Sequence, residues 1–225
     1  MKGPARVLAI SVAITALLYA LPAGRILAWP LVLGSTLAHE LGHGLAALLL
    51  GGHFYSLAIR SDASGVAMWG GSFSRLGVAT VAAAGLVGPA LAAYVLLAVG
   101  RQPRRARVLL ACLGAGLVLV ALLLVRNAFG WWFTAIVAAT CIFVAWRVPR
   151  MSQGFVVFLA VQLALSVYSR SDYLFTKAAV SSAGTGPSDV AVMASALFLP
   201  YWFWGVLCGA VSLLLLYLGA RAFFR

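Results

Sequence analysis

The stretch Val108-Leu109-Leu110-Ala111-Cys112-Leu113-Gly114-Ala115-Gly116-Leu117-Val118-Leu119-Val120-Ala121-Leu122-Leu123-Leu124-Val125 decides the fold class. It carries no charge, amide or hydroxyl side chain. A helix needs about 20 apolar residues to cross the hydrocarbon of a bilayer, and a run of about 18 is already outside what a soluble amphipathic helix carries. On its N-terminal side stands a basic turn, Gly100-Arg101-Gln102-Pro103-Arg104-Arg105-Ala106-Arg107, and on its C-terminal side Arg126-Asn127. Working outward, similar runs occupy 129–146, 154–170 and 194–220 downstream, and 77–99, 31–50 and 7–28 upstream. The first is interrupted at Leu21-Pro22-Ala23-Gly24-Arg25, the run 154–170 is short, and Pro89 is expected to kink 77–99. The expectation is an all-α, polytopic transmembrane helix bundle of six to seven spans, forming a single domain over 1–225.

Composition agrees. The 225 residues are 64% hydrophobic and 9% charged, against about 45–50% and about 25% in an ordinary soluble domain. The net charge of +12 comes from 16 basic residues that fall mostly between apolar runs. No basic amphipathic face or aromatic-interleaved patch appears, so the expected partner of these charges is the lipid bilayer and not nucleic acid. Counting seven alternating spans leaves about seven bases on one side and nine on the other, a difference too small to orient the chain. The N-terminal segment is read as a retained first span, not a cleaved signal. Cys112, Cys141 and Cys208 all lie within apolar runs and are read as packing residues. Trp131, Trp132, Trp202 and Trp204 are read as interfacial.

Three connectors are long: 51–76, 100–107 and 176–190. In the first, Phe54–Ile59 and Gly65–Trp69 alternate loosely about Ser61-Asp62-Ala63-Ser64, which suggests a small hairpin at the membrane edge.

Chemistry concentrates in the second run, at His39-Glu40-Leu41-Gly42-His43. On a helix the two histidines fall at i and i+4, on one face, where two imidazoles can share one metal ion. Glu40 beside the first is placed to act as general base on a water that the metal activates. The chain's one Glu therefore stands between two of its three His, inside an apolar span where ionisable groups are costly and mark function. A zinc site needs a third protein ligand. Asp172, at the end of an apolar run, is the first choice. Asp189, in Gly186-Pro187-Ser188-Asp189 before the last run, is the alternative, although a carboxylate in a first helical turn is favourable without any metal. Asp62 in its turn and His53 after Gly51-Gly52 are lesser candidates. Gly42, Gly44, Gly85 and Gly88 read as close helix contacts in lipid.

With its motif helix, the Gly51-Gly52 that follows, the Ser64-Gly65 loop, the segment Ala84-Gly85-Leu86-Val87-Gly88-Pro89 and the late Ser188-Asp189 step, the chain resembles the site-2 protease class of intramembrane zinc metalloproteases, peptidase family M50, and within it the M50B-like branch. The resemblance implies zinc held by His39 and His43, a later Asp as third ligand, and Glu40 as base. The Leu-Asp-Gly motif of the wider family is absent; Val125-Arg126-Asn127 stands in a similar place with Asn127 as its polar group. The resemblance further implies an endopeptidase whose substrate is a membrane protein, cut in a transmembrane or juxtamembrane segment. Its expected location is multi-pass in a bacterial plasma membrane. The rival expectation is a non-catalytic metal-binding membrane protein, an inactive relative, scaffold or transporter-like chain; nothing in the sequence sets an oligomeric state.

Overall fold

The computed structural model describes residues 3–21, 24–169, 171–181 and 184–225. They form helices α1 (Gly3–Ala20), α2 (Gly24–Leu49), α3 (Arg75–Gly100), α4 (Pro103–Leu123), α5 (Ala128–Arg147), α6 (Ser152–Ser169), α7 (Asp189–Leu197) and α8 (Tyr201–Phe224). Two hairpins join them, β1 (His53–Ile59) with β2 (Gly65–Gly70), and β3 (Ala178–Ser181) with β4 (Gly184–Pro187). Short 3₁₀ turns cover Pro149–Met151 and Ser171–Phe175.

Lipid offers no partner to backbone N–H and C=O groups, so apolar runs satisfy them internally as helices. Among the described residues, α3, α4, α5, α6 with its leading turn, and α8 are each long and apolar enough to cross a membrane, and α1 adds a shorter apolar helix. Their outward faces are lined with exposed Leu119, Leu122 and Leu123 on α4, and Val206, Leu213 and Leu214 on α8. The chain is thus a mostly helical integral membrane protein.

Two boundaries differ from the expectation. The run 194–220 is not one helix: α7 ends at Leu197, Phe198 takes a left-handed conformation (φ 64°), and α8 starts after Pro200. A left-handed residue closes a helix and proline cannot continue one. The second expected span starts earlier, at Gly24, and runs through Pro30. Likewise α3 continues through Pro89.

The first hairpin forms where expected, with Phe54 opposite Trp69, Ile59 opposite Gly65, and a bulge between Phe54 and Ser56. The far edge of β1 is taken up by the α4–α5 connection: Leu57 N–H donates to Leu124 O and Arg126 N–H to Leu57 O. The second hairpin lies in the connector 176–190, where Ala178-Ala179-Val180-Ser181 and Gly184-Thr185-Gly186-Pro187 have no apolar alternation to announce it.

One packed cluster joins the end of α3 (Leu96, Leu97), the start of α4 (Ala106, Leu110), the end of α5 (Cys141, Ala145), the start of α6 (Val156, Val157) and the end of α8 (Phe223), with Val7 and Leu8 of α1 against it. These segments therefore share one end of the bundle. Around them stand Arg6, Arg101, Arg104, Arg105, Arg107, Arg147, Arg150, Arg221 and Arg225, nine arginines with no acidic residue among them. Seven alternating spans would have put Arg6 and Arg101 on opposite sides. Helix α2 explains the difference. Trp29 near its start meets Phe129 in the first turn of α5 and donates to Ser61 O of the hairpin, while its end leads through β1 and β2 to the start of α3. Both of its ends thus lie toward the end away from the arginines. Along the way α2 packs tightly on α3. Gly42 abuts Ala84 O, and a Cβ at Gly88 would lie 2.9 Å from Ala38 O, so the small residues serve close backbone approach.

Candidate metal centre

The i, i+4 spacing on α2 brings His39 and His43 edge to face, with their Nε2 atoms 3.2 Å apart. His43 is buried, and its Nδ1–H donates to Val81 O of α3 at 2.8 Å. A carbonyl can only accept, so this bond fixes the proton on Nδ1 and leaves the Nε2 lone pair facing the centre, the usual orienting contact of a ligating imidazole. Room for that ring depends on Gly85, where a Cβ would collide with it.

Asp189 comes from α7, which also packs on α3. Ser188 caps α7, accepting from Ala191 N–H at 3.3 Å while its own hydroxyl donates to Thr176 O at 2.5 Å and its N–H to Lys177 O at 3.0 Å. Asp189 thus opens α7, and Met193 one turn later packs with Ala79 and Ala82 of α3. The carboxylate lies with Oδ2 3.2 Å from His39 Nε2 and Oδ1 3.4 Å from His43 Nε2. Oδ2 is buried with no hydrogen-bond partner despite that nearness, as expected of ligand atoms turned toward a shared cation.

The three residues form a group that could hold a metal ion. Zn–N and Zn–O distances of about 2.1 Å at tetrahedral angles put ligand atoms about 3.4 Å apart. The contacts found are of that size: the two Nε2 atoms lie 3.2 Å apart, Asp189 Oδ2 lies 3.2 Å from that of His39, and Asp189 Oδ1 lies 3.4 Å from that of His43. Two imidazoles and one carboxylate also suit zinc and leave a fourth position free.

Glu40 is buried one residue from His39. Strand β2 covers it: a Cβ at Gly65 would lie 2.6 Å from its Cγ and 2.7 Å from its Oε1. A cavity of about 410 Å³ opens beside His39 and Glu40, bounded by Thr36, Ser64, Gly65 and Tyr173 on one part of its wall and by Gly184, Thr185 and Gly186 on another. Tyr173 stands edge-on to His39 at 6.0 Å between ring centres.

Three other sequence candidates lie elsewhere. His53 is exposed and stacks on Tyr55 at 5.8 Å. Asp62 holds its own turn, accepting from Ser64 N–H at 2.9 Å. Asn127 clasps the hairpin instead of the histidines: its amide donates to Ile59 O at 2.6 Å and its oxygen accepts from Ile59 N–H at 3.2 Å. Asp172 belongs to the turn Ser171–Phe175, and its side chain lies outside the described residues. Sequence reasoning passed over Tyr173, Val81 and Thr36. Tyr173 follows Asp172 in the same stretch, but no spacing marks it.

No curated protein and no solved structure matches the chain. A family model does match, over residues 8–219, and its description is peptidase M50B-like. That span contains both motif histidines, Glu40 and Asp189, and nearly every helix of the bundle; the chain belongs to the M50B-like peptidase family.

Proposed function

We propose that the chain is a zinc-dependent endopeptidase that cuts a transmembrane or juxtamembrane peptide bond of another membrane protein. His39, His43 and Asp189 hold the ion, with Asp189 and not Asp172 as third ligand. The observation that carries this reading is the convergence of the two imidazole Nε2 atoms, 3.2 Å apart, with the Asp189 carboxylate, whose two oxygens lie 3.2 and 3.4 Å from them, drawn from two helices far apart in the chain. A zinc ion bound there supplies Lewis-acid chemistry, polarising the scissile carbonyl and making water acidic enough to react at neutral pH. Glu40 takes a proton from the attacking water and returns it to the leaving amine, the work of a general base turned general acid. The cavity beside Glu40 admits water and an unwound substrate segment into the bundle.

The same reading favours six crossings, α1 with the five long helices, while α2 carries the motif into the bundle from the end away from the arginines. The membrane is taken to be a bacterial plasma membrane.

Elemental analysis of detergent-purified protein tests the ligand set. One zinc per chain is expected, lost in His43→Ala and in Asp189→Ala and kept in Asp172→Ala. Retention of zinc by Asp189→Ala with loss in Asp172→Ala would move the third ligand to Asp172. No zinc in the wild type after loading would leave a membrane protein with a vestigial motif.

A further inference from the structure

Of the nine guanidiniums at the arginine end of the bundle, six stand on two connectors. Arg101, Arg104, Arg105 and Arg107 lie where α3 passes into α4, and Arg147 and Arg150 where α5 passes into α6. The connectors are neighbours. Arg107 Nε–H donates to Ala145 O, in the last turn of α5, at 2.9 Å, and the Gln153 side-chain amide at the start of α6 donates to Arg101 O at 2.6 Å. Arg104 precedes Arg107 by three residues and so shares its face of α4. Arg104, Arg107, Arg147 and Arg150 are all exposed.

No side-chain carboxylate of the chain balances this charge. A guanidinium keeps its proton in any protein setting. The sequence holds four acidic residues. Glu40 and Asp189 stand at the metal centre, and Asp62 in the turn of the first hairpin. Asp172 belongs to the turn Ser171–Phe175, whose Leu174 carbonyl presses on Gly205 near the start of α8, at the other end of the bundle. Arg104, Arg105 and Arg107 also crowd the opening turns of α4, where the helix dipole favours anions over cations. Water screens such a cluster but brings no counter-charge.

Apolar surface adjoins the same guanidiniums. Val108 follows Arg107, Trp146 precedes Arg147, Phe143 lies one turn before it, and Met151 follows Arg150; all four side chains are exposed. A partner that meets both surfaces must join an anion to hydrocarbon. Nucleic acid or inorganic phosphate would engage the guanidiniums and leave the apolar flank bare. A lipid phosphate can accept from two or more guanidiniums, while its acyl chains cover Val108, Phe143 and Met151 and Trp146 sits at headgroup level. A choline headgroup would bring its own cation into the cluster, so net negative charge is selected.

We propose that Arg104, Arg107, Arg147 and Arg150 form a binding site for the phosphate of an anionic phospholipid drawn from the surrounding bilayer. The site bridges the α3–α4 and α5–α6 connectors and stands apart from the metal centre.

The test follows tryptophan quenching of the full chain in detergent micelles by brominated phosphatidylglycerol and by brominated phosphatidylcholine. Wild type is compared with Arg104→Gln/Arg147→Gln/Arg150→Gln, with Arg6→Gln/Arg221→Gln/Arg225→Gln, which removes as much charge from the same end, and with Trp146→Phe. Each basic residue near anionic lipid contributes about fivefold. Wild type is expected to prefer phosphatidylglycerol on the order of tenfold or more, and the first triple variant to lose that preference while the second keeps it. In Trp146→Phe the quenching specific to phosphatidylglycerol should largely vanish. Inorganic phosphate at constant ionic strength should leave the preference unchanged. Equal quenching of wild type by the two lipids overturns the proposal, a measurement that needs no variant to fold. So does equal loss in both triple variants, which would mean diffuse surface charge, or persistence of the specific quenching in Trp146→Phe, which would put the lipid elsewhere. Displacement by inorganic phosphate would make the cluster a site for a free anion and overturn the assignment to lipid.

Discussion

His43 rests against Gly85 with no space for a side chain between them, so a single methyl group tests how tightly the centre is set. In Gly85→Ala the new Cβ meets the imidazole ring on the packed α2–α3 face, where neither helix backbone can easily yield. The ring must turn away from the Val81 carbonyl that fixes its proton. We expect zinc affinity to fall on the order of 10–100-fold, the usual effect of disturbing a ligand's orienting contact, read by competition against a chromogenic chelator. Unchanged affinity would mean that Val81 and Gly85 do not hold the ligand. At this scale the motif residues were legible from their spacing alone, because i and i+4 on any helix share a face. Which aspartate meets the histidines was not: Asp172 and Asp189 both stand beside apolar runs, and sequence proximity to a helix says nothing about which helix faces α2.

Among the elements, the first hairpin depends on a clasp from far along the chain. Asn127 satisfies both the N–H and the C=O of Ile59, a fully buried residue. In Asn127→Ala both groups lose their partner inside the bundle. At about 1–3 kcal/mol for each unsatisfied buried group, a loss of about 2–6 kcal/mol is expected, visible as a lower midpoint in SDS-induced unfolding. Because β2 covers Glu40, activity should fall along with stability. A variant with an unshifted midpoint would show that the α4–α5 connection does not anchor the hairpin. The strand pairing itself could be anticipated from the alternation in Phe54–Ile59 and the turn residues beyond it. The second hairpin could not, since Gly, Ala, Thr and Pro present no face to a core. The split between α7 and α8 was also hidden, because Phe198 and Pro200 sit inside an unbroken apolar run.

For the whole molecule, the distribution of charge is the main consequence of folding. The nine arginines share one end, while Arg60, Arg75, Arg126 and Lys177 lie toward the other, where Arg75 stands over the Phe198 ring at 4.7 Å and Lys177 over Tyr201 at 5.2 Å. Basic residues flanking membrane helices are retained on the cytoplasmic side. The arginine end is therefore expected to face the cytoplasm, with residues 6 and 225 on the same side. Single cysteines at these two positions, in a chain otherwise free of cysteine, should resist an impermeant maleimide in intact cells and react after lysis. Labelling of either one in intact cells would refute the six-crossing arrangement.

By itself, the sequence determined the membrane class, the helical architecture, the first hairpin and the pair of histidines with Glu40 between them. All of these follow from local rules: an apolar run must close its own hydrogen bonds in lipid, alternation marks a strand, and helical periodicity aligns neighbours one turn apart. Only the tertiary structure decided that Asp189 meets the histidines, that Asn127 serves the hairpin and not the metal centre, and that the arginines gather at one end. Each of these joins residues on segments distant in sequence, and their meeting is set by how α2 crosses α3 and where α7 docks, which small-residue packing between helices controls and no local pattern encodes.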